Sequence, residues 1–373
     1  MIIPNFFKKL PFLVLIFLFS CNRVDDNTAS NQQFTKQIEI KYAKHFEISE
    51  NSTEKRIRVF SKEKKQTFEY ILSKVKSQNS IKIPVKKVVC MSTTHVAFIN
   101  EIGKTETIIG LSGTNFIHNE KINNRIEKNQ IIDIGYEENL NFETLLKLKP
   151  DVIFIYEIGD ETSMYINKLK ELKFNVVNVA EFIETSPLAR AEWIKFFAAF
   201  YDEIPKAENL FSQIETDYNN LKLEARKSNN IPTVITSIPM KNSWYVPGTK
   251  SYMYNIISDA GAKFIIDDNQ DEGSITMNFE NVFEKAIEAD YWINLELVSS
   301  KKDILAFDER LKEFKSFKSD KIYNYDLKVN KSGGNDYWEK GVVFPNLILK
   351  DLMSIFHPKI LNQDSLLFYR KLN

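Results

Sequence analysis

Short apolar runs and helically spaced stretches alternate through much of this chain. Residues 87–91 are apolar and predict a strand, followed by the polar turn Ser92-Thr93-Thr94-His95, which suits a helix cap. Residues 96–102 then repeat at helical spacing and stop at Gly103. A strand is predicted over 107–111 and a helix over 142–148, ended by Pro150. Val152-Ile153-Phe154-Ile155-Tyr156 is apolar throughout, the pattern of a strand covered on both faces in a parallel sheet. A helix over 164–172 and a strand over 175–179 complete the alternation, which predicts a doubly wound α/β lobe spanning 84–185.

Ser186-Pro187 opens a different region, with Pro at the first helical position. Residues 188–200 read as helical, Pro205 interrupts, and a second helix runs to about residue 227. Its apolar face is Ala207, Leu210, Phe211, Ile214, Tyr218 and Leu221. At 1.5 Å per residue such a helix is roughly 33 to 36 Å long, enough to join two lobes. No glycine occurs between Thr162 and Val246, so the connector at 186–229 reads as a strut rather than a hinge.

A second α/β block is predicted over 230–373. It has strands at 234–236, 244–246, 291–295 and 321–324, and helices at 251–260, 281–289 and 345–356. Upstream, 38–40 and 57–60 look like short strands, and 67–75 either pairs with them or forms a helix. This extension is expected to pack on the first lobe.

Composition changes the picture in three places. With 373 residues and 43% hydrophobic content, two cores are within reach. Fifty basic residues balance fifty acidic ones, so no bulk basic field favours nucleic acid. The two cysteines, Cys21 and Cys90, form no CxxC pair, which excludes a structural zinc site of that kind. Cys90 sits in an apolar strand and reads as an inert core residue.

Cys21 belongs to the leader. Lys8 and Lys9 precede an apolar run of about ten residues, too short to span a bilayer as a helix. Leu18-Phe19-Ser20-Cys21 resembles the bacterial lipobox, so residues 1–20 read as a signal peptide and Cys21 as the acylated first residue of the mature chain. Such acylation anchors a protein without a transmembrane span. Residues 22–33 are polar and aperiodic, as a tether would be. Domain boundaries follow: signal 1–20, tether and extension 21–83, first lobe 84–185, connector 186–229, second lobe 230–373.

One tripeptide occurs twice. Asn141-Phe142-Glu143 opens the helix before Lys149-Pro150-Asp151 and the strand at 152–155. Asn278-Phe279-Glu280 opens the helix before Asp290 and the strand at 291–295. Asn is a good N-cap and Glu in the first turn complements the helix dipole, which by itself accounts for either site. Matched glutamates in two lobes also suit a paired role.

With these residues the chain resembles the periplasmic solute-binding proteins of iron–siderophore, haem and cobalamin ABC importers, over roughly residues 84–373. The marks are Asn141-Phe142-Glu143 with Leu148-Lys149-Pro150-Asp151-Val152-Ile153, and the Phe279-Glu280 element. Ser332 to Glu339, Pro345 and residues 351–358 resemble the Bacteroidetes-type lipoprotein subgroup, as does the extension before residue 84. The resemblance implies two Rossmann-like lobes joined by a long helix, the class III periplasmic-binding-protein architecture, with small interlobe motion. It also implies an ABC permease dimer and its ATPase as partners, with Glu143 and Glu280 docking into arginine pockets of the two permease subunits. The ligand it implies is a metal chelate, with no resident cofactor or metal.

The cleft is expected at the carboxyl ends of the parallel strands. Candidates from the first lobe are Thr93, Thr94 and His95, then Asn115, Phe116, Tyr136 and Tyr156. The second lobe offers Trp244, Tyr245, Asn335, Tyr337 and Trp338, and the connector offers Arg190 for an anionic chelate. For each aromatic, core packing is the competing reading. Two alternatives remain: a direct zinc or manganese receptor built on His95 and His118, or a secreted two-lobed enzyme using paired cleft carboxylates. No HExxH, GxSxG, P-loop or GxGxxG motif supports an enzyme.

Overall fold

The computed structural model describes residues 34–62, 65–75, 77, 79–156, 164–296, 298–361 and 365–373. The predicted signal peptide, Cys21 and most of the tether lie outside the described residues.

Two parallel sheets form the frame. The first has strand order Val176–Asn178, Val152–Ile155, Val88–Cys90, Ile108–Leu111, Ile132–Asp133, all parallel. Its central strands are covered on both faces, which is why 152–155 carries no polar residue. The second sheet runs Lys263–Phe264, Thr233–Thr236, Tyr291–Ile293, Ile322–Asn324, Arg370–Lys371, parallel except for its last strand. The predicted strand around Trp244 exists as Ser243–Pro247, but it belongs to a separate antiparallel sheet with Pro239–Met240 and Ser274–Asn278.

The connector is three helices, Pro187–Glu192, Ile194–Ala199 and Ile204–Ala225. The last has 22 residues, about 33 Å at 1.5 Å per residue. Near its start Lys206 donates to the Ile102 carbonyl at 2.7 Å; further along Tyr218 donates to Asp259 at 2.8 Å. It therefore touches elements of both parallel sheets' surroundings.

The extension is a five-stranded sheet, with Thr67–Ser73 a strand. Its inner residues Phe46, Ile48, Ile57, Val59 and Leu72 are buried. Phe46 packs on Trp193 and Phe196 at ring distances of 4.7 and 5.9 Å, so the sheet rests on the connector helices as well as the first lobe. Buried Glu192 accepts the backbone N–H groups of Lys41, Tyr42 and Ala43 at 2.7–2.9 Å and pairs with Lys195 at 2.8 Å. Glu184 accepts those of Lys44 and His45. These bonds supply partners that a loop crossing a buried surface would otherwise lack. At the sheet's far side Tyr70 accepts the N–H of Asn178, an edge-strand donor, at 2.9 Å.

The two halves also meet through the helix Asp336–Val343, which packs on Thr93–Glu101. Glu339 accepts the N–H groups of His118 and Asn119 at 2.7 and 3.1 Å. Asn330 donates to the carbonyls of Asn115 and Ile117, both at 3.0 Å. Gly334 lies so close to the Phe116 carbonyl that a Cβ there would sit 1.9 Å from its oxygen. The loop at 115–119 is thus clamped to the second half of the chain.

Candidate functional site

A pocket of about 320 Å³ opens where the two parallel sheets face each other. The second sheet contributes strand ends: Thr236 and Ser237 follow one strand, Asn294 and Glu296 the next, and Tyr325 a third. The first lobe contributes Phe182, beyond the strand Val176–Asn178, and the connector contributes Arg190. Trp338 closes one side and is shared with an adjoining pocket of about 440 Å³ that includes Asn335. The site is therefore at the carboxyl ends of the strands, as α/β topology requires.

Arg190 is oriented by the chain around it. Its Nε donates to the Glu184 carbonyl at 3.0 Å, its Nη2 to the Phe182 carbonyl at 2.7 Å, and its guanidinium lies 4.1 Å from the Tyr252 ring centre. Burial lowers its pKa, opposed by nearby Tyr252 and Glu181. Glu181 itself is buried, accepts the Thr94 hydroxyl at 2.5 Å, and has its pKa raised by burial. Three non-glycine residues of the pocket, Ser237, Asn294 and Glu296, hold φ of 63°, 58° and 55°. Left-handed backbone at such residues costs on the order of 1 kcal/mol each and clusters at functional sites. Two indoles secure this strained rim from behind: Trp244 Nε1 donates to the Thr236 carbonyl at 2.8 Å and Trp292 Nε1 to the Ser237 carbonyl at 2.7 Å.

Three expected cleft residues are core instead. His95 is fully buried between Phe154 and Phe197, and burial pushes its pKa down to about 3. It lies on the inward face of the helix Thr93–Glu101, whereas Thr94 keeps partial exposure. Trp244 is fully buried against Phe279, Trp292 and Phe314, because alternation along its strand turns it inward and Tyr245 outward. Tyr337 is fully buried against Tyr325 and Tyr369, while the next residue, Trp338, stays 39% exposed.

Other candidates are exposed but lie elsewhere. Phe116 and Tyr136 meet edge to face at 6.3 Å, with Asn115 3.5 Å from the Tyr136 hydroxyl. Tyr156 and Tyr245 are exposed. Of the aromatic candidates, Trp338 is the one the pocket at Arg190 includes. Sequence reasoning missed Phe182, Thr236, Asn294 and Tyr325. Three of these follow or end parallel strands, so the strand-end rule alone would have found them. Among the described residues no group of three or more His, Cys, Asp or Glu side chains could hold a metal ion, and buried His95 is not available to join His118.

The repeated tripeptides have matching geometry. Asn141 caps Phe142–Leu148 by accepting Thr144 N–H at 2.9 Å, and Asn278 caps Phe279–Ala286 by accepting Asn281 N–H at 2.9 Å. Both glutamates are exposed. Glu143 pairs with Lys147 at 2.7 Å, and Glu280 with Arg310 at 3.1 Å.

A periodic binding-protein pattern matches residues 88–328 of the chain, and its description is "Periplasmic binding protein". The chain belongs to the periplasmic binding protein family. Two uncharacterized lipoproteins of Methanocaldococcus jannaschii are similar. One is 31% identical over 79% of this chain and 70% of its own length; the other is 27% identical over 78% and 75%. A possible iron-binding (periplasmic solute-binding) protein of Staphylococcus epidermidis aligns with TM-score 0.59 and 18% identity, covering 74% of this chain and 99% of its own. A periplasmic heme binding protein of Pseudomonas aeruginosa aligns with TM-score 0.59 and 15% identity, covering 78% and 98%. The periplasmic vitamin B12 binding protein BtuF of Vibrio cholerae aligns with TM-score 0.52 and 14% identity, covering 75% and 99%. At these identities the solved structures establish the class III periplasmic-binding-protein fold. The family is one of binding proteins, which sets aside the two-lobed enzyme. Among the described residues no helix is long and apolar enough to cross a membrane.

Proposed function

We propose that this periplasmic binding protein is the substrate-binding lipoprotein of an ABC importer, capturing a metal chelate (an iron siderophore, haem or a cobalamin-like ligand) and delivering it to the permease. The observation that carries the reading is the interlobe pocket itself. It is walled by exposed Phe182 and Trp338, with an oriented guanidinium at Arg190 and no metal-ligating cluster among the described residues. Aromatic walls with few fixed polar groups suit a bulky organic ligand. The names of the structural neighbours, iron-binding, heme binding and vitamin B12 binding, point to the same range of ligands.

In this reading Cys21 carries the lipid anchor, consistent with relatives named as lipoproteins, and the protein is held at the cell envelope facing the importer. Glu143 and Glu280 dock on the permease dimer through charge-assisted pairs. The remaining exposed aromatics, Phe116, Tyr136, Tyr156 and Tyr245, with half-buried Thr94, are offered as outer contacts of a large ligand. A tryptophan-fluorescence titration with ferric siderophores, haem, cobalamin, and free zinc and manganese ions tests it. Saturable quenching by one chelate class at submicromolar concentration, with silence from free ions, is the expected outcome. A response to free ions alone would restore the direct metal receptor and end this reading.

A further inference from the structure

The floor of the pocket holds polar atoms that the fold does not use. Thr236 and Asn294 line it at 2% and 3% exposure, and the Thr236 Oγ1 and Asn294 Oδ1 atoms are buried without a hydrogen-bond partner among the described residues. Buried side-chain oxygens are ordinarily satisfied, and leaving one unpaired is costly. Both follow from the strand-end geometry, and both sit beside backbone held in left-handed conformation at Ser237 and Asn294. Arg190 faces the same pocket. Two carbonyls fix its Nε and Nη2, and among the described residues it makes no ion pair with a carboxylate. The amino end of the helix Tyr252–Asp259 also lines the pocket, adding its partial positive charge.

From this arrangement we infer that the ligand enters by a carboxylate flanked by a hydroxyl or N–H group, the carboxylate on Arg190 and the donor on Asn294 Oδ1 and Thr236 Oγ1. The ligand class is then a hydroxycarboxylate- or aminocarboxylate-type chelate. This rests on the chelate-receptor reading and narrows it. A guanidinium offers parallel N–H donors that match a carboxylate. Asn294 Oδ1 accepts only, so it selects a ligand group that carries a proton. Thr236 serves either role. Acidic Glu272 and Glu296 also line the pocket, with Glu272 3.8 Å from Lys62. They disfavour a ligand that is anionic all round and favour one that presents its carboxylate inward.

The test uses the full chain in detergent micelles and three probes: ferric citrate, metal-free citrate, and a ferric trihydroxamate without a carboxylate. Ferric citrate is expected to quench fluorescence saturably. Arg190→Gln should weaken it by about a hundredfold and Thr236→Val by about tenfold, the scale of charged and neutral hydrogen bonds. Thr236→Val is nearly isosteric and removes an unpaired buried hydroxyl, so its melting temperature should hold or rise while affinity falls. Affinity unchanged in Thr236→Val, with loss confined to a destabilised Arg190→Gln, would assign these residues to structure and overturn the inference. Tight trihydroxamate binding indifferent to Arg190→Gln would overturn it while leaving the chelate receptor intact. Arg190-dependent binding of citrate only without iron would keep the carboxylate subsite and remove the chelate reading. Binding of no probe would end both.

Discussion

Trp338 is the residue through which this protein can be watched. The chain has four tryptophans, and Trp193, Trp244 and Trp292 are fully buried, so only Trp338 meets the pocket with an exposed ring. Trp338→Phe is expected to abolish ligand-induced quenching while calorimetric affinity falls tenfold or less, about the worth of one aromatic contact. Quenching that survives the change would place the ligand beside another indole. His95 makes a contrasting case. Burial holds its pKa near 3 against an ordinary 6.5, so between those values the folded state binds fewer protons than the unfolded state. Stability on this account rises with pH across that window and is lost as pH falls through it. His95→Leu should flatten the acid side of the melting-temperature profile and leave chelate affinity untouched. An unchanged acid slope in that variant would mean that other groups govern it.

At the scale of elements, the helix Asp336–Val343 and the loop it clamps set how the halves are held. Burial, reinforced by Asp336, raises the Glu339 pKa to about 7 despite the N–H groups of His118 and Asn119 that favour its charge. Between 4.5 and about 7 the folded state then binds more protons than the unfolded one, so this contribution falls as pH rises and is constant above. Glu339→Gln keeps an acceptor and loses the titration. Its melting temperature should vary less between those pH values than that of the natural chain, and a wild-type slope would reject the assignment. The same helix shows what the sequence left open. Periodicity marks the long elements, because burial on both faces makes 152–155 uniformly apolar and one-sided burial gives Ile204–Ala225 its stripe. It does not say which of two adjacent aromatics turns inward. Trp244 and Tyr245, or Tyr337 and Trp338, are interchangeable until a neighbouring sheet or helix is in place. Short edge strands such as Pro239–Met240 and Arg370–Lys371 carry too few residues to show a period. Thr236 and Asn294 were invisible as site residues because what marks them is the absence of a partner, which only packing reveals.

For the whole molecule, the two halves must present themselves to a partner together. The extension, strapped across the connector by Glu184 and Glu192, and the clamp at Glu339 hold both sheets in one body. A rigid body docks best through widely shared, fixed charges, and Glu143 and Glu280 are the matched exposed pair. Their surroundings differ. Glu143 has only a mobile-stemmed lysine at i+4, an interaction worth a few tenths of a kcal/mol, about 0.3–0.5. Glu280 shares Arg310 with Asp308, and Arg310 sits nearer Asp308, at 2.7 Å against 3.1 Å. Asp308 can therefore keep Arg310 neutralised when an incoming arginine takes Glu280. The double variant Glu143→Ala, Glu280→Ala is expected to retain full chelate affinity and lose uptake in reconstituted vesicles. Arg310→Ala, which leaves Glu280 unpaired, should keep uptake at least at the natural level. Loss of chelate binding in a folded double variant would show that these carboxylates serve the cleft, and uptake that persists would place the permease contact on another surface.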